Sequence, residues 1–244
     1  MTATNSRISD EQAADELELA GDQLSALSDA IEIIASTVAN SVVAIKIERP
    51  GPTPAPGFDT RSRVGSVGSG VVASTSGLIV TAAHVVDRAE QVIVTTPNGD
   101  DLNAKLVGRN ESVDLAILQV DASDLTPITP SAIPQRPGQL VLVIGRPPVA
   151  GYVVTNGIVS AVDRPTRTFS GMAVNGLIQT TAAVEPGVSG GALADSRGAL
   201  LGIITSATDS IRAISFAVPI EQVLETINTL APADAGTGVL FPRD

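Results

Sequence analysis

"PGVSGGAL", Pro186 to Leu193, places a serine inside a glycine-rich turn with a valine before it. Glycine reaches backbone angles that other side chains resist, so such a turn can lift a hydroxyl clear of the chain and aim N–H groups at one point. Ser189 then has two readings: a nucleophile, or a small residue in an ordinary glycine–serine turn. A serine hydroxyl is a weak nucleophile until a base takes its proton, and histidine is the usual base. The chain has one histidine, His84, so the choice rests on where that residue stands.

Two catalytic turns share the pattern. The G-x-S-x-G elbow of α/β-hydrolases needs its histidine after the serine, and none follows Ser189. The G-x-S-G-G loop of trypsin-fold proteases goes with the order histidine, acid, serine, which this chain can supply. His84 stands in "GLIVTAAHVVD", where Leu78 to Val80 reads as a strand and Thr81-Ala82-Ala83 leads to the imidazole. The acid must fall between His84 and Ser189. "SVDLAILQV" offers Asp114 at the mouth of the apolar run Leu115 to Leu118, where a buried carboxylate would orient the imidazole. Asp121, Asp124 and Asp163 lie in the same interval.

With these stretches in place, the chain resembles the protease domain of the HtrA (DegP/DegS-like) serine proteases. The resemblance runs from about Ser41 to about Leu230. It rests on "GSGVVASTSGLIVTAAHVV", "DLAILQV", "VIGRPPVAGYVVTNGIVSAV", "LIQTTAAVEPGVSGGAL", "GALLGIITS" and "ISFAVPIEQV", in that order. It implies two antiparallel β-barrels with a site between them, and a triad of His84, Asp114 and Ser189. It implies an oxyanion hole from the backbone N–H groups of Gly187 and Ser189, and a supporting contact from Thr205 to the aspartate. By the same resemblance the floor of the P1 pocket is Ala183. Its walls come from Val184 to Pro186 and from the strand after Thr205, so the expected substrate contacts are Ala183, Val184, Thr205, Ser206 and Ala207. The chain departs from the family at Val188, where asparagine is usual, and at Thr181 and Glu185, where an aspartate and an asparagine stand upstream.

Composition supports an all-β fold independently. Apolar residues make up 43% of 244 positions but aromatics only 2%, so the core must be built from Val, Ile, Leu and Ala. Short apolar runs alternate with glycine and proline breakers at Val42–Ile47, Leu78–Val80, Val92–Thr95, Leu140–Ile144, Val153–Val159 and Leu200–Ile204, an all-β pattern. The formal net charge of −11 argues against nucleic-acid binding. No cysteine is present, so disulfides and thiolate chemistry are excluded, and a single histidine leaves little for a catalytic metal. No cofactor or metal is expected. No stretch of about 18 apolar residues exists to span a membrane. Read with Met1 as the start, the acidic N-terminus is no signal peptide and points to the cytoplasm. Many HtrA relatives are exported, and a leader replaced by Met1 is the other reading.

Residues 1–40 hold eight acidic residues against one basic, Arg7. Ser9 and Gln12 make an S-x-x-Q capping box, after which Ala13, Leu17, Ala20, Leu24, Leu27, Ile31, Ile34 and Val38 recur at three- and four-residue steps. That predicts an amphipathic helix, which either docks on the first barrel or pairs with copies of itself. Related domains form trimers through this region, although the aromatic motif often used there is missing. Residues 41–230 read as the protease domain, divided between barrels near 125–137, and 231–244 as a tail too short for another domain. Arg49 to Arg63 reads as a Pro/Gly-rich loop, and Val162 to Gly176 lies where the family has a sensor loop. Pro219 to Leu230 reads as a closing helix, and the PDZ domain that usually follows in the family is absent from this sequence.

Three functions are consistent with these residues. One is an ATP-independent serine endopeptidase that cleaves unfolded or exposed polypeptide. Another is a non-catalytic protein-binding or chaperone module on the same fold. The third is an interaction protein whose N-terminal helix is the functional part and whose barrels are a scaffold.

Overall fold

A computed structural model describes residues 10–48, 64–148, 151–167, 173–205 and 214–231. The expected Arg49–Arg63 loop, Ser9 of the capping box, and Ser206 and Ala207 lie outside them. Helix α1 (Asp10–Ala39) leads into β1 (Val42–Glu48), β2 (Val64–Val72), β3 (Leu78–Ala82), β4 (Gln91–Thr95), β5 (Asp101–Asn110) and β6 (Leu115–Val120). After a connector follow β7 (Leu140–Gly145), β8 (Val153–Arg167), β9 (Ala173–Thr180), β10 (Ala192–Asp195), β11 (Leu200–Thr205), β12 (Ser215–Pro219) and helix α2 (Ile220–Leu230). The first six strands close into one antiparallel barrel in the order β1-β2-β3-β6-β5-β4. The other six close into a second in the order β10-β11-β12-β9-β8-β7.

The apolar runs in the sequence are continuous because many strands are buried on both faces. Side chains alternate across a strand, so neighbours in such a run serve different cores. In β6, Ala116 and Leu118 fill the first barrel with Ile45, Ile79 and Val94, while Leu115 and Ile117 face outward. In β11, Leu201 and Ile204 fill the second barrel, while Leu200 and Ile203 face outward. The outward residues of both barrels meet in a third cluster with Val80, Ile144 and Val218, closed by Ile220, Val223 and Ile227 of α2. Small aliphatic side chains suit this arrangement, since three thin cores leave little room for aromatic rings.

The structure corrects two expectations. The Val162–Gly176 segment is not simply a loop: β8 runs to Arg167 and β9 begins at Ala173, pairing Arg164 with Leu177 and Thr166 with Val174 across several bulges. Its polar residues hid the strand because they lie on an exposed hairpin rather than a core face. Helix α1, in turn, docks not on the first barrel alone but across both. Val38 and Ala39 sit in the inter-barrel cluster beside Val42, Leu142 and Ile144, with Ile31 and Ile34 packed against it.

Among the described side chains of α1, only those of the last turns are covered. Val38 is 2% exposed, whereas Leu17 and Leu24 on the same stripe are 74% and 68% exposed. The stripe is continuous in sequence, but the globular body ends partway along it. Val38→Ala should therefore cost about 2 kcal/mol, lowering the melting temperature by roughly 4–8 °C. Leu24→Ala should shift it by less than about 2 °C. A larger fall at Leu24, accompanied by a loss of mass in light scattering, would mean that another molecule covers the upper stripe.

Candidate active site

Strand register brings Asp114 to His84. In the β3–β6 pair Ala82 lies opposite Leu115, so the residues just beyond, Ala83 and Asp114, come together, and Ala83 N–H donates to Asp114 O at 3.0 Å. Ala83 to Val86 form a single 3₁₀ turn whose Ala83, Val85 and Val86 are buried, leaving His84 as the residue that faces outward. The His84 backbone N–H donates to Asp114 Oδ1 at 3.0 Å, and His84 Nδ1 lies 2.8 Å from Asp114 Oδ2. Thr205 Oγ1, from the end of β11 in the other barrel, donates to the same Oδ2. Asp114 is buried and adopts φ 58°, a left-handed conformation that aspartate tolerates better than most residues. A carboxylate only accepts hydrogen bonds, so Nδ1 of His84 is the donor in this pair, and in the neutral ring Nε2 is the acceptor.

The glycine turn is braced from the first barrel. Ser69, fully buried in β2, donates its N–H to Ser189 O at 2.8 Å and its hydroxyl to Gly187 O at 2.7 Å. The hydroxyl in turn accepts from Arg146 N–H at 2.8 Å. Gly190, at φ 85°, has no room for a Cβ, which would strike Ser69 O and Thr81 Oγ1. The same neighbourhood holds His84: a Cβ on Gly68 would meet Val85 Cγ2 at 2.8 Å and Ser189 O at 3.1 Å. Among the described residues, neither Gly187 N–H nor Ser189 N–H has an acceptor, and no hydrogen bond joins Ser189 Oγ to His84.

Val188 replaces polar bracing with packing. Its side chain is 2% exposed and belongs to the core of the second barrel with Val141, Val143, Ile178 and Ile204. A Cβ on Gly145 would come within 2.9 Å of Val188 Cα, so the close approach depends on that glycine. An asparagine in place of Val188 would bury an amide in an apolar core.

Sequence reasoning missed Ser69 and Arg146. The available signal was the serine between two glycines in "VGSGVV", a hydroxyl where a strand would ordinarily carry an apolar residue. Arg146 reaches further: its Nε donates to Val42 O and its Nη2 to Ala39 O, both at 2.7 Å, and its guanidinium lies 5.8 Å from the ring centroid of Tyr152. Burial pushes the Arg146 pKa below the ordinary arginine value, with Tyr152 acting in the opposite direction, and the side chain remains a cation at neutral pH.

A cavity of about 270 Å³ adjoins the turn, lined by Val143, Val153, Val154, Thr155, Ala183, Glu185 and Val188. Of the expected substrate contacts, Ala183 lines it. Val184 packs instead against the second core, and Thr205 is committed to Asp114 rather than to the cavity. Ala183 and Glu185 are the exposed members of the lining. A larger cavity of about 810 Å³, between Thr37, the β4–β5 turn and Asp121–Thr126, includes none of His84, Asp114 and Ser189. Asp121 and Asp124 line it, while Asp163 lies on the β8–β9 hairpin. Among the described residues no group of His, Cys, Asp or Glu is placed to hold a metal, and no helix is long and apolar enough to cross a membrane.

Two antiparallel barrels, with a buried aspartate held against a half-buried histidine and a serine in a glycine-rich turn at their junction, define the architecture of a double-barrel peptidase. The chain belongs to the trypsin-like peptidase domain family, whose model matches residues 68–203. It is 37% identical over 165 residues to the serine endoprotease DegS of Haemophilus influenzae, covering 65% of this chain and 48% of that protein. It is 36% identical over 187 residues to a probable periplasmic serine endoprotease, DegP-like, of Halomonas elongata, covering 75% of this chain and 38% of that one. Among solved structures, the HtrA-type protease AlgW with tripeptide superposes with a TM-score of 0.68 at 34% identity, covering 80% of this chain and 62% of that one. The chain spans about half or less of the length of these curated relatives.

Thr205→Val keeps shape but removes a donor from a buried carboxylate. It should cost about 1.5–3 kcal/mol, read as a lower midpoint in urea unfolding. An unchanged midpoint would mean that Asp114 is satisfied without the second barrel.

Proposed function

We propose that this chain is an HtrA-like serine endopeptidase domain acting on unfolded or exposed polypeptide without nucleotide. The contact at 2.8 Å between buried Asp114 and His84 carries the reading, because a carboxylate on Nδ1 leaves Nε2 available to act as a base. Ser189 Oγ attacks the scissile carbonyl as His84 takes its proton. His84 then returns that proton to the leaving amine, and water repeats the sequence to release the acyl group. Asp114 holds the ring and stabilises the imidazolium that forms. The N–H groups of Gly187 and Ser189, which have no acceptor among the described residues, would receive the oxyanion. The absent Ser189–His84 hydrogen bond is compatible with this, since such contacts are often long before substrate binds and tighten with it. It is also the observation that favours the competing reading, a binding module on the same fold. A site outside the cytoplasm is consistent with the DegP-like relative described as periplasmic.

Ser189→Ala or His84→Ala should lower kcat by roughly 10⁴- to 10⁶-fold, and the double variant little further, because triad members act as a unit. A fluorophosphonate should label Ser189 in the wild type and nothing in folded Ser189→Ala. A folded wild type that resists labelling would favour the binding module.

The cavity at Ala183 is lined mainly by valine, and its carboxylate, Glu185, is exposed and screened by solvent. A lysine or arginine side chain placed there would lie against valine and meet only a solvent-screened carboxylate at the rim, so a small aliphatic side chain suits the lining better. Cleavage sites mapped on an unfolded polypeptide should therefore carry Val, Ala or Ile at P1. A majority of Arg or Lys would reject this assignment.

A further inference from the structure

Arg146 connects the nucleophile turn to the end of α1. Its backbone N–H occupies the acceptor side of the Ser69 hydroxyl at 2.8 Å, so the hydroxyl proton is directed to Gly187 O at 2.7 Å. At the other end of the same peptide, Val188 N–H donates to Glu185 O at 3.1 Å. The Gly187–Val188 peptide is thus held at both ends, and the Gly187 and Ser189 N–H groups lie on either side of it. The residues flanking Arg146 press on the same turn: Gly145 lies against Val188, and a Cβ on Gly187 would meet Pro147 Cβ at 3.1 Å.

The side chain of Arg146 fixes where this backbone sits. Its two 2.7 Å bonds grip Ala39 O, at the C-terminus of α1, and Val42 O, at the start of β1. The helix has no basic residue in its own last turn, so Arg146 supplies the charge its C-terminal carbonyls favour.

We infer that Arg146 is a positioning residue for Ser189, coupling the C-terminal end of α1 to the nucleophile turn through Ser69. The inference rests on the proposed peptidase reading. Removing the fork frees the Gly145–Pro147 segment, loosens the Ser69 hydroxyl, and lets the Gly187–Val188 peptide rotate. Substrate still meets the same cavity, so the loss falls on turnover rather than on binding.

The test uses the full chain, a fluorogenic peptide with an aliphatic P1 residue, and fluorophosphonate labelling of Ser189. Arg146→Met, which keeps the aliphatic stem, should lower kcat at least ~10-fold with KM within ~2-fold. It should slow labelling in proportion. Ser69→Ala should do the same, and the double variant should be no slower than the slower single, as two links of one chain. Tyr152 is the sole tyrosine in a chain without tryptophan, so its emission should change in Arg146→Met and report that the guanidinium has left the ring. Arg136→Met, at an exposed arginine, should change neither rate nor emission.

If Arg146→Met does not fold, Arg146→Lys decides the matter. A lysine keeps the charge without the fork, and its kcat should fall between those of the wild type and Ser69→Ala. A labelled wild type beside Arg146 variants of unchanged kcat would overturn this inference alone, as would single losses that multiply in the double variant. An unlabelled wild type would overturn the peptidase reading and this inference with it.

Discussion

The Asp114 carboxylate must leave water before the two barrels can close on each other. That removal costs several kcal/mol unless the charge meets donors in good geometry. Two of its donors come from His84 in the first barrel and one from Thr205 in the second. The carboxylate is therefore satisfied only when the barrels are docked in one relation. Apolar burial alone is tolerant of small slides between surfaces, whereas hydrogen bonds to a buried charge are not. The inter-barrel cluster supplies the attraction, and Asp114 supplies the registration. The left-handed backbone at Asp114 is consistent with this, because such a conformation persists where surrounding contacts over-determine it.

A second consequence concerns how the serine turn is held. Its backbone is locked by Ser69 across the barrel boundary, while its one large side chain, Val188, is anchored inside the second barrel. The two anchors divide the work differently from a polar side chain in the turn itself. Packing fixes depth, since Val188 and Gly145 are in contact with no space between them. The Ser69 hydroxyl fixes rotation, since it binds one carbonyl of one peptide. A substitution that preserves volume but adds polarity at Val188 thus attacks the depth, and one that removes the hydroxyl of Ser69 attacks the rotation.

Much of this was legible from sequence for a simple reason. Doubly buried strands such as β3, β6 and β11 write themselves as unbroken aliphatic runs, and a sole histidine leaves few choices for its partners. Asp114 stood out because it borders one of those runs, and the register of that run brings it to His84. What stayed hidden has one-sided or polar strands: β5, the β8–β9 hairpin, and β2 with its glycines and serines. Ser69 and Arg146 were invisible because their partners are far along the chain and are backbone atoms, which carry no residue-specific signature. The docking of α1 was also unreadable in detail. Its stripe is equally apolar throughout, and only the position of the two barrels decides where the covered part ends.

That partial docking gives α1 a mechanical character. A helix of 30 residues whose covered side chains, among those described, lie in its last turns presents a long arm to solvent. An isolated helix of this kind derives little stability from its own sequence, since propensity and side-chain pairs contribute only tenths of a kcal/mol per residue or pair. Its covered end must therefore be well fastened, and the two fastenings are of different kinds. Val38 and Ala39 bind it by packing into the inter-barrel cluster. Arg146 binds it by charge and hydrogen bonds at its terminal carbonyl. Packing at Val38 stabilises the helix wherever the barrels are docked, but it makes no contact with the serine turn. The guanidinium does, through its own backbone and Ser69. Of the two fastenings, only the one made of directed hydrogen bonds can carry a change in helix position to Ser189.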